Sequence, residues 1–389
     1  MTTISEPVTE RRVLTAAVVV AGGTVHRPGW LVVEHGLVSA AGSGTPPASV
    51  GPADVVLGDV VVVPGFVDMH VHGGGGATFT DGTVEAARTV VSAHRAHGTT
   101  RLVASLVSAH PDPLREQVAT LAGLVESGEL AGIHLEGPWL SPTRIGAHDP
   151  ATVRPPDADE IHSLLDAGRG GIAMVTIAPE LPGGLAAVEQ LREAGVVVAV
   201  GHTEASYDQV RAAIAAGATV GTHLFNAMRP IMHREPGPVV ALAEAPGVVV
   251  ELIVDGVHLH PAMYDQVRRW VGPSRIALVT DAMAAAGMAD GAYTLGSLDV
   301  TVEGGQARVA GTDTIAGGTA TTDQLFRAAA GGPDGVDDDE ILLQAVEQTS
   351  VVPARALRLP RHDLAPGTPA DLVVLDRDLQ VRRVLVRGA

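Results

Sequence analysis

Eight apolar segments follow one another along the chain, and each precedes a glycine-rich or polar loop and then a pattern typical of an amphipathic helix. This repeated alternation of strand and helix indicates parallel βα units. The eight segments are GFVDMHVH, TTRLVASLV, LAGIHLEGP, GIAMVTIAP, VVVAVGHT, ATVGTHLFNAM, VVVELIVDGVH and RIALVTDAM. Eight such units in about 290 residues fit a (β/α)8 barrel of the TIM type. The predicted fold class is therefore α/β, with this barrel as its main part.

An open doubly wound sheet is the alternative architecture. It would place a G-x-G-x-x-G motif between the first strand and its helix. The glycines from Gly73 to Gly76 follow the first segment but do not form that motif. The barrel is therefore favoured. A flexible turn explains these glycines as well as the functional interpretation does, which is a loop whose backbone passes close to a bound ligand.

Both ends of the chain contain short strands separated by turns. The N-terminal part holds VLTAAVVVAGG, GWLVVEHGLVSAAG and DVVLGDVVVVPG, and the tail ADLVVLDRDLQVRRVLVRGA adds two more strands. We expect these strands to form a small β-sandwich domain from residues 1-63 and 355-389. The barrel then spans residues 64-354.

Composition excludes several kinds of chemistry. The chain has no cysteine, and all 26 of its basic residues are arginine. Disulfides, thiolate metal sites, Schiff-base lysines and carbamylated lysine bridges are therefore absent. The net charge, 26 − 44 = −18, argues against nucleic acid or an anionic membrane as a partner. No apolar stretch suits a signal peptide or a membrane span, so we expect a cytoplasmic protein.

Polar side chains stand where several of the eight segments end. They are His70, His72, Glu136, His202, His223, His258 and Asp281. In a (β/α)8 barrel the active site lies at this end of the strands. His70 and His72 are two residues apart, so both face the same side of their strand, here the interior. Imidazoles and carboxylates that converge without a thiol suit a divalent ion such as zinc.

Each of these residues also has an ordinary explanation. A single buried histidine is more often a hydrogen-bonded core residue than a ligand. Asp281 alone would be explained as the cap of the segment that follows it. Several buried polar side chains at one end of the barrel, however, are costly if they have no partner. Together they favour a metal site.

The motifs around these positions resemble a known enzyme family. PGFVDMHVHG, with a later His, His and Asp, is similar to the amidohydrolase superfamily. Further motifs occur in the order found in the N-acetylglucosamine-6-phosphate deacetylases of that superfamily: HLEGPWL, GAHDP, GHTEAS, THLFNAM, HREPG, DGVHLHP and VTDAM. A lone HxH is a weak signal, whereas this ordered set is specific and extends across the barrel.

The resemblance implies a metal-dependent hydrolase. The expected reaction removes the acetyl group from N-acetyl-D-glucosamine 6-phosphate, giving D-glucosamine 6-phosphate and acetate in amino-sugar catabolism or cell-wall recycling. By resemblance, Glu136, His202 and His223 hold one ion, and His70 and His72 hold a second ion with Glu136 as the bridge. Zinc is the expected cofactor, with one or two ions per subunit, and Fe2+, Co2+ and Mn2+ are the alternatives.

The resemblance also implies the remaining roles. Asp281 is the expected catalytic residue, which moves a proton from water to the departing amine. The implied substrate-binding residues are Ala147, His148, Asn226, Ala227, Arg234, Asp255, Gly256, Val257, His258, Ile315, Ala316 and Gly317. Arg234 is the implied phosphate ligand and reaches a neighbouring subunit's site, which implies a homodimer. The family usually has a serine where this chain has Gly318, followed here by Thr319.

Two other interpretations stay open at this point. Another metal-dependent amidohydrolase, such as a nucleobase deaminase or a D-amino-acid deacylase, would use the same aspartate and histidines but lack the HREPG and FNAM phosphate contacts. A catalytically inactive barrel that serves as an assembly scaffold would have lost ligands, whereas this chain keeps them.

Overall fold

The structure is a computed structural model that describes residues 10–389, and its main feature is an eight-stranded parallel sheet. The strands are β1 (Phe66–Val71), β2 (Thr99–Leu106), β3 (Gly132–Glu136), β4 (Ile172–Ile177), β5 (Val197–Val200), β6 (Ala218–Gly221), β7 (Val249–Leu252) and β8 (Ile276–Leu278). They neighbour one another in chain order from β1 to β8. Just beyond β8, Ala282 pairs in parallel with Val71, and the Asp281 N–H donates to the carbonyl of His70 at 2.9 Å. These contacts bring the two edges of the sheet together and confirm the predicted barrel.

Helices alternate with the strands, as the sequence pattern predicts. They are α1 (Val84–Ala96), α2 (Pro111–Glu126), α3 (Ala158–Gly168), α4 (Gly184–Glu193), α5 (Tyr207–Ala216), α6 (Gly237–Glu244), α7 (Pro261–Val271), α8 (Thr322–Ala329), α9 (Asp339–Val346) and α10 (Val352–Ala356). Local sequence sets their ends. Ser206 and Gln209 form a capping box that starts α5, and Gly217 follows its last residue. The Asp157 carboxylate caps α3 by accepting from two backbone N–H groups.

Two further sheets come from the two ends of the chain. In spatial order, the four-stranded sheet contains Leu37–Ser43, Gly29–Glu34, Arg12–Ala16 and Val55–Val56, and the five-stranded sheet contains Val381–Leu385, Leu372–Leu375, Val61–Pro64, Val18–Ala21 and Thr24–His26. The C-terminal strand Leu372–Leu375 pairs antiparallel with Val61–Pro64. Buried side chains of both sheets, such as Leu31, Val19 and Leu372, pack in one apolar cluster. The predicted small sandwich built from both termini is therefore confirmed as part of the fold.

A three-stranded antiparallel sheet follows β8 and precedes α8 in the chain, and it is not among the elements predicted from the sequence. Its strands are Gly291–Leu295, Leu298–Glu303 and Gln306–Val309. Leu295 and Val300 from this sheet pack with Met283 and Ala316 in one buried cluster. The insertion thus supplies apolar side chains next to the end of β8.

The chain divides into two compact units. Within the described residues, one consists of residues 10–68, 94–101 and 322–389, and the other of residues 69–93 and 102–321. All candidate site residues belong to the second unit. The predicted domain limits, 1-63 plus 355-389 and 64-354, stay a prediction. Across residues 10–389, no helix is at once long enough and apolar enough to cross a membrane.

Candidate active site

The polar residues predicted at the strand ends lie where the strands stop. His70 belongs to β1 and His72 follows it, Glu136 is the last residue of β3, and Asp281 comes shortly after β8. His202 and His223 each stand two residues beyond a strand, β5 and β6. All six side chains are largely or fully buried, including Asp281 at 9% exposure. The barrel therefore directs them into its interior from five different strands.

Glu136 is the centre of this group. Its Oε1 lies 2.9 Å from His202 Nε2 and 3.0 Å from His223 Nε2. Its Oε2 lies 3.1 Å from His72 Nε2. Asp281 Oδ1 lies 3.2 Å from His72 Nε2 and 3.4 Å from His70 Nε2. One carboxylate thus faces both histidine pairs, and a second carboxylate faces the pair on β1.

The chemistry of these donors fits a divalent ion. The two Nε2 atoms of His202 and His223 lie 3.1 Å apart, as do those of His70 and His72. His202 donates through Nδ1 to the carbonyl of Arg144 at 2.9 Å, so its Nε2 presents a lone pair. In the described chain, the potential ligand atoms of His70, His72, Glu136 and Asp281 all lie within 4.8 Å of one another. Imidazole nitrogens and carboxylate oxygens without thiolate are the ligands of zinc and related ions.

Both carboxylates are held in the ionised form. Burial alone would raise the pKa of Glu136, but its interactions with the neighbouring His70 and His202 rings outweigh burial and hold the pKa well below its usual range. Burial likewise opposes ionisation of Asp281, and the neighbouring His70 and His72 rings lower its pKa below the usual value. Both side chains are therefore available as ligands or proton acceptors at neutral pH.

His148 presents a donor to the site. Ser108 N–H donates to His148 Nδ1 at 3.2 Å, so a neutral ring carries its proton on Nε2. That nitrogen lies 3.3 Å from Glu136 Oε2. Burial lowers the pKa of His148 to about 4, which keeps the ring neutral at physiological pH. The geometry suits hydrogen-bond donation better than metal ligation.

His258 forms a pair with Asp255. Its Nδ1 lies 2.8 Å from Asp255 Oδ2, while Asp255 Oδ1 accepts from the backbone N–H groups of Val257 and His258. Burial favours the neutral ring, but the hydrogen bond and charge of Asp255 outweigh burial and raise the pKa of His258. Asp255 therefore fixes the ring and keeps a proton on it.

A cavity of about 400 Å³ opens over the carboxylates. The predicted substrate-binding residues that line it are Ala147, His148, Asn226, Ala227, His258, Ile315 and Gly317. Among the described residues, Asp255, Gly256, Val257 and Ala316 adjoin this wall in sequence without lining it. Arg234 is exposed and does not line the cavity of its own chain.

Several residues at the site are not among those predicted from the sequence. Arg144 is the one arginine in the described cavity wall, and its Nε lies 2.5 Å from Glu204 Oε2. Glu251 is fully buried in β7 and contacts His70. It is the one charged residue in the run VVVELIV, a signal that was available in the sequence.

A hydrogen-bonded chain also lies among the strands near His70. Ser105 Oγ lies 2.9 Å from His134 Nδ1, and His134 Nε2 lies 2.8 Å from Thr176 Oγ1, which in turn contacts Thr222. The ring of His134 packs edge-on to that of His70, with 4.6 Å between centroids. No sequence spacing reveals this series of hydrogen bonds, because its side chains come from four different strands or strand ends.

The backbone is left-handed at three of the predicted ligand and catalytic residues. The φ angle is 46° at His202, 26° at His223 and 46° at Asp281. Residues other than glycine adopt this region infrequently, although Asp, Asn and His tolerate it better than most. Such conformations cost of order 1–3 kcal/mol each and concentrate at active sites.

The glycine run does not border the cavity, which corrects the expectation that its backbone passes close to a ligand. Gly73 N–H donates to the carbonyl of Ala282, and Gly76 N–H donates to that of Ala284. A Cβ on Gly73 would lie 2.5 Å from the carbonyl oxygen of Ala77. The run instead allows close backbone packing against the segment that follows Asp281.

Gly318 packs equally closely. Its N–H donates to the carbonyl of Asp281 at 2.7 Å, and a Cβ at this position would lie 2.2 Å from the carbonyl oxygen of Thr280. The missing side chain therefore affects the backbone that carries Asp281 more than the polarity of the cavity.

Known proteins are similar to this chain in architecture and in sequence. The sequence profile of the amidohydrolase family matches residues 61–389. The N-acetylglucosamine-6-phosphate deacetylase of Danio rerio is 36% identical over 346 residues, covering 84% of this chain and 83% of the relative. That of Bacillus subtilis (strain 168) is 31% identical over 379 residues, covering 95% and 94%.

A solved structure gives a closer match. It is a variant of N-acetyl-D-glucosamine-6-phosphate deacetylase from Mycobacterium smegmatis in complex with N-acetyl-D-glucosamine-6-phosphate. It is 57% identical, covers 97% of this chain and 98% of its own, and superposes with a TM-score of 0.94. These comparisons confirm the resemblance that the motifs indicated.

Proposed function

The chain belongs to the amidohydrolase family, and from this we propose that it hydrolyses the acetamide of N-acetyl-D-glucosamine 6-phosphate. The products are D-glucosamine 6-phosphate and acetate. The observation that carries the proposal is the placement of Glu136, whose two oxygens face both histidine pairs at the floor of the cavity. An amide requires a strong nucleophile and a stabilised oxyanion, and this donor set is suited to supply both through a divalent ion.

Glu136, His202 and His223 would hold one ion, and His70 and His72 would hold another that Glu136 also contacts. We propose zinc for both positions, because nitrogen and carboxylate donors without thiolate suit it. A bound divalent ion lowers the pKa of water towards about 7 and polarises the amide carbonyl.

Asp281 performs the proton transfers. Its carboxylate stays ionised beside the histidines of β1, so it accepts a proton from the attacking water. It then delivers that proton to the departing nitrogen, because an amine leaves readily only when protonated. Its backbone hydrogen bonds to His70 and Gly318 hold the side chain at this position.

His148 and His258 orient the substrate from two sides of the cavity. His148 is a neutral donor through Nε2 and contacts a sugar oxygen. His258, whose ring Asp255 fixes through Nδ1, lines the cavity and contacts the carbonyl oxygen or a substrate oxygen beside it. Ala147, Ile315 and Gly317 line the cavity and enclose the sugar ring, and Gly256, Val257 and Ala316 adjoin this wall in sequence.

Phosphate binding requires donors that this acidic chain supplies locally. Asn226 and Ala227 line the cavity, and their backbone N–H groups are the phosphate donors that the family resemblance implies; that of Asn226 also donates to the His223 carbonyl at 3.0 Å. Arg234 does not line its own cavity, which supports its action in the cavity of a second copy and hence a homodimer. Arginine presents a fork of donors that suits a phosphate dianion.

The reaction belongs to amino-sugar catabolism or cell-wall recycling, and the expected location in the cytoplasm stays a prediction. Comparing kcat/KM for N-acetyl-D-glucosamine with and without the 6-phosphate tests the proposal. We expect the phosphorylated sugar to be strongly preferred. Equal values would contradict the phosphate site and favour a different amidohydrolase, and no hydrolysis of either by the ion-loaded protein would favour a scaffold.

A further inference from the structure

Glu251 is a buried acid in an apolar strand. It belongs to β7 (Val249–Leu252), and its side chain has no exposure to solvent. A buried carboxylate is strongly destabilising unless it is paired or hydrogen-bonded. Its presence here therefore calls for a compensating interaction, and its neighbours show what that interaction is.

The carboxylate of Glu251 contacts two of the predicted metal ligands. Its Oε2 lies 3.1 Å from His70 Nδ1, and the same oxygen accepts from the backbone N–H of His223 at 3.2 Å. Its own carbonyl accepts from Leu224 N–H at 2.9 Å. One residue of β7 thus connects the histidine on β1 with the loop that carries His223.

This arrangement fixes which nitrogen of His70 can bind an ion. The Nδ1–H donates to the carboxylate, so Nε2 presents its lone pair towards Glu136 and Asp281. Histidines that bind metals commonly donate their other N–H to a carboxylate or carbonyl, which orients the ring and raises its basicity. Four histidines are predicted as ligands. Within the described chain, His70 is the one of them with a carboxylate at Nδ1, and His202 has the Arg144 carbonyl there.

The second oxygen of Glu251 adds a further argument. In residues 10–389, Oε1 is buried and has no hydrogen-bond partner. A role in packing alone would be filled at lower cost by an apolar side chain of similar size. A negative charge held beside a histidine pair is useful, by contrast, if that pair carries a cation.

We propose that Glu251 is a positioning residue that secures the ion held by His70 and His72, and so makes the site binuclear. The inference rests on the proposed function, because it assumes the metal site described there. Glu251 acts through His70 and does not touch the substrate cavity. The ion held by Glu136, His202 and His223 depends on it less, since Glu251 contacts only the backbone of His223.

Counting bound ions tests the proposal directly. The wild-type chain and the variants Glu251→Ala and Glu251→Gln are stripped of metal and titrated with Zn2+ or Co2+. The number and affinity of bound ions are then measured against a competing chelator. We expect two ions on the wild type and, in Glu251→Ala, a second ion bound about 10–100-fold more weakly, with the first unchanged. Glu251→Gln keeps the acceptor but not the charge, so its second ion should be intermediate.

Asp371→Asn is the matched control. Asp371 is also fully buried, accepts from Arg387 N–H at 2.8 Å and lies 3.0 Å from the guanidinium of Arg101, and neither partner is a site residue. This control loses a buried charge and should still bind two ions with wild-type affinity. If Glu251→Ala does not fold, Glu251→Gln decides: selective weakening of one ion supports the proposal.

Several results would overturn it. One is a wild type that binds only one ion. Another is a folded Glu251→Ala or Glu251→Gln variant that binds both ions with wild-type affinity. A third is an equal loss of affinity for both ions in Glu251→Gln. Hydrolysis of N-acetyl-D-glucosamine 6-phosphate is measured on the same wild-type preparation. Hydrolysis combined with ion binding that does not depend on Glu251 refutes this inference alone, whereas two bound ions without hydrolysis refute the proposed reaction.

Discussion

Replacing Asp281 by asparagine should remove most of the catalytic rate while leaving the fold and the ions in place. The left-handed backbone at this position, with φ of 46°, is one that asparagine adopts readily. The backbone bonds to His70 and Gly318 do not involve the side chain. The substitution therefore keeps an oxygen that can face His70 and His72 and removes the negative charge that accepts the proton.

The magnitude follows from what the carboxylate does. General acid–base catalysis contributes typically about 10²–10⁴-fold. At about 1.36 kcal/mol per tenfold, kcat should fall by an amount equal to about 2.7–5.4 kcal/mol of activation free energy. KM should change little, because Glu136, the histidines around it and the cavity walls remain. Stability should stay within about 1 kcal/mol of wild type, as for a substitution that preserves backbone conformation.

Acetate release under saturating substrate, ion content and melting temperature would be measured together. Asp313→Asn is the matched control. Asp313 lies in the same cavity wall, but it is exposed and its ion-pair partner is Arg308, not a histidine. It should keep nearly full activity. A loss of less than tenfold in Asp281→Asn with ions retained would refute the proton-transfer role. A loss that parallels loss of an ion would show that Asp281 acts as a ligand.

Three further results are expected. Removing divalent ions with a chelator should abolish hydrolysis and adding Zn2+ should restore it; full activity in the chelator would contradict the metal site. Arg234→Gln should lower kcat/KM for the phosphorylated sugar by about 10–100-fold, the worth of a charge-assisted hydrogen bond, without affecting the unphosphorylated sugar; equal losses on both sugars would refute a phosphate contact. Burial lowers the pKa of His134 well below 6.5, so below pH 6.5 the unfolded chain binds a proton that the folded chain does not. The free energy of unfolding should therefore fall on acidification, by up to about 1.4 kcal/mol per pH unit for this proton. When the free energy is measured by urea unfolding at several pH values, it should depend less steeply on pH in His134→Gln than in the wild type; an equal dependence would contradict this.

The sequence predicts the barrel and the positions of the candidate ligands because both depend on local patterns. Apolar runs that end in His, Glu or Asp mark the strand ends, and the barrel brings those ends together. His70, His72, Glu136 and Asp281 are identified in this way and lie together in the structure. The prediction of the terminal sandwich, which is confirmed, depends similarly on the short strands and turns in the two end segments.

The residues that were missed depend on contacts between distant segments. A charge within an apolar run marks Glu251 as unusual, but its role depends on a contact with His70, 181 positions earlier in the chain. Ser105, His134 and Thr176 each look like an ordinary strand residue until the strands are adjacent. The sheet from Gly291–Leu295 to Gln306–Val309 was missed because it interrupts the barrel pattern after its last strand.

The left-handed conformation of His202, His223 and Asp281 has a consequence for attempts to engineer this protein. Glycine at any of the three positions would relieve an unfavourable backbone angle and remove a functional group in the same step. Libraries screened for heat resistance alone should therefore accumulate glycine at these positions and yield robust but inactive proteins. Thermostabilisation should proceed under a parallel screen for turnover, or with these three codons held fixed.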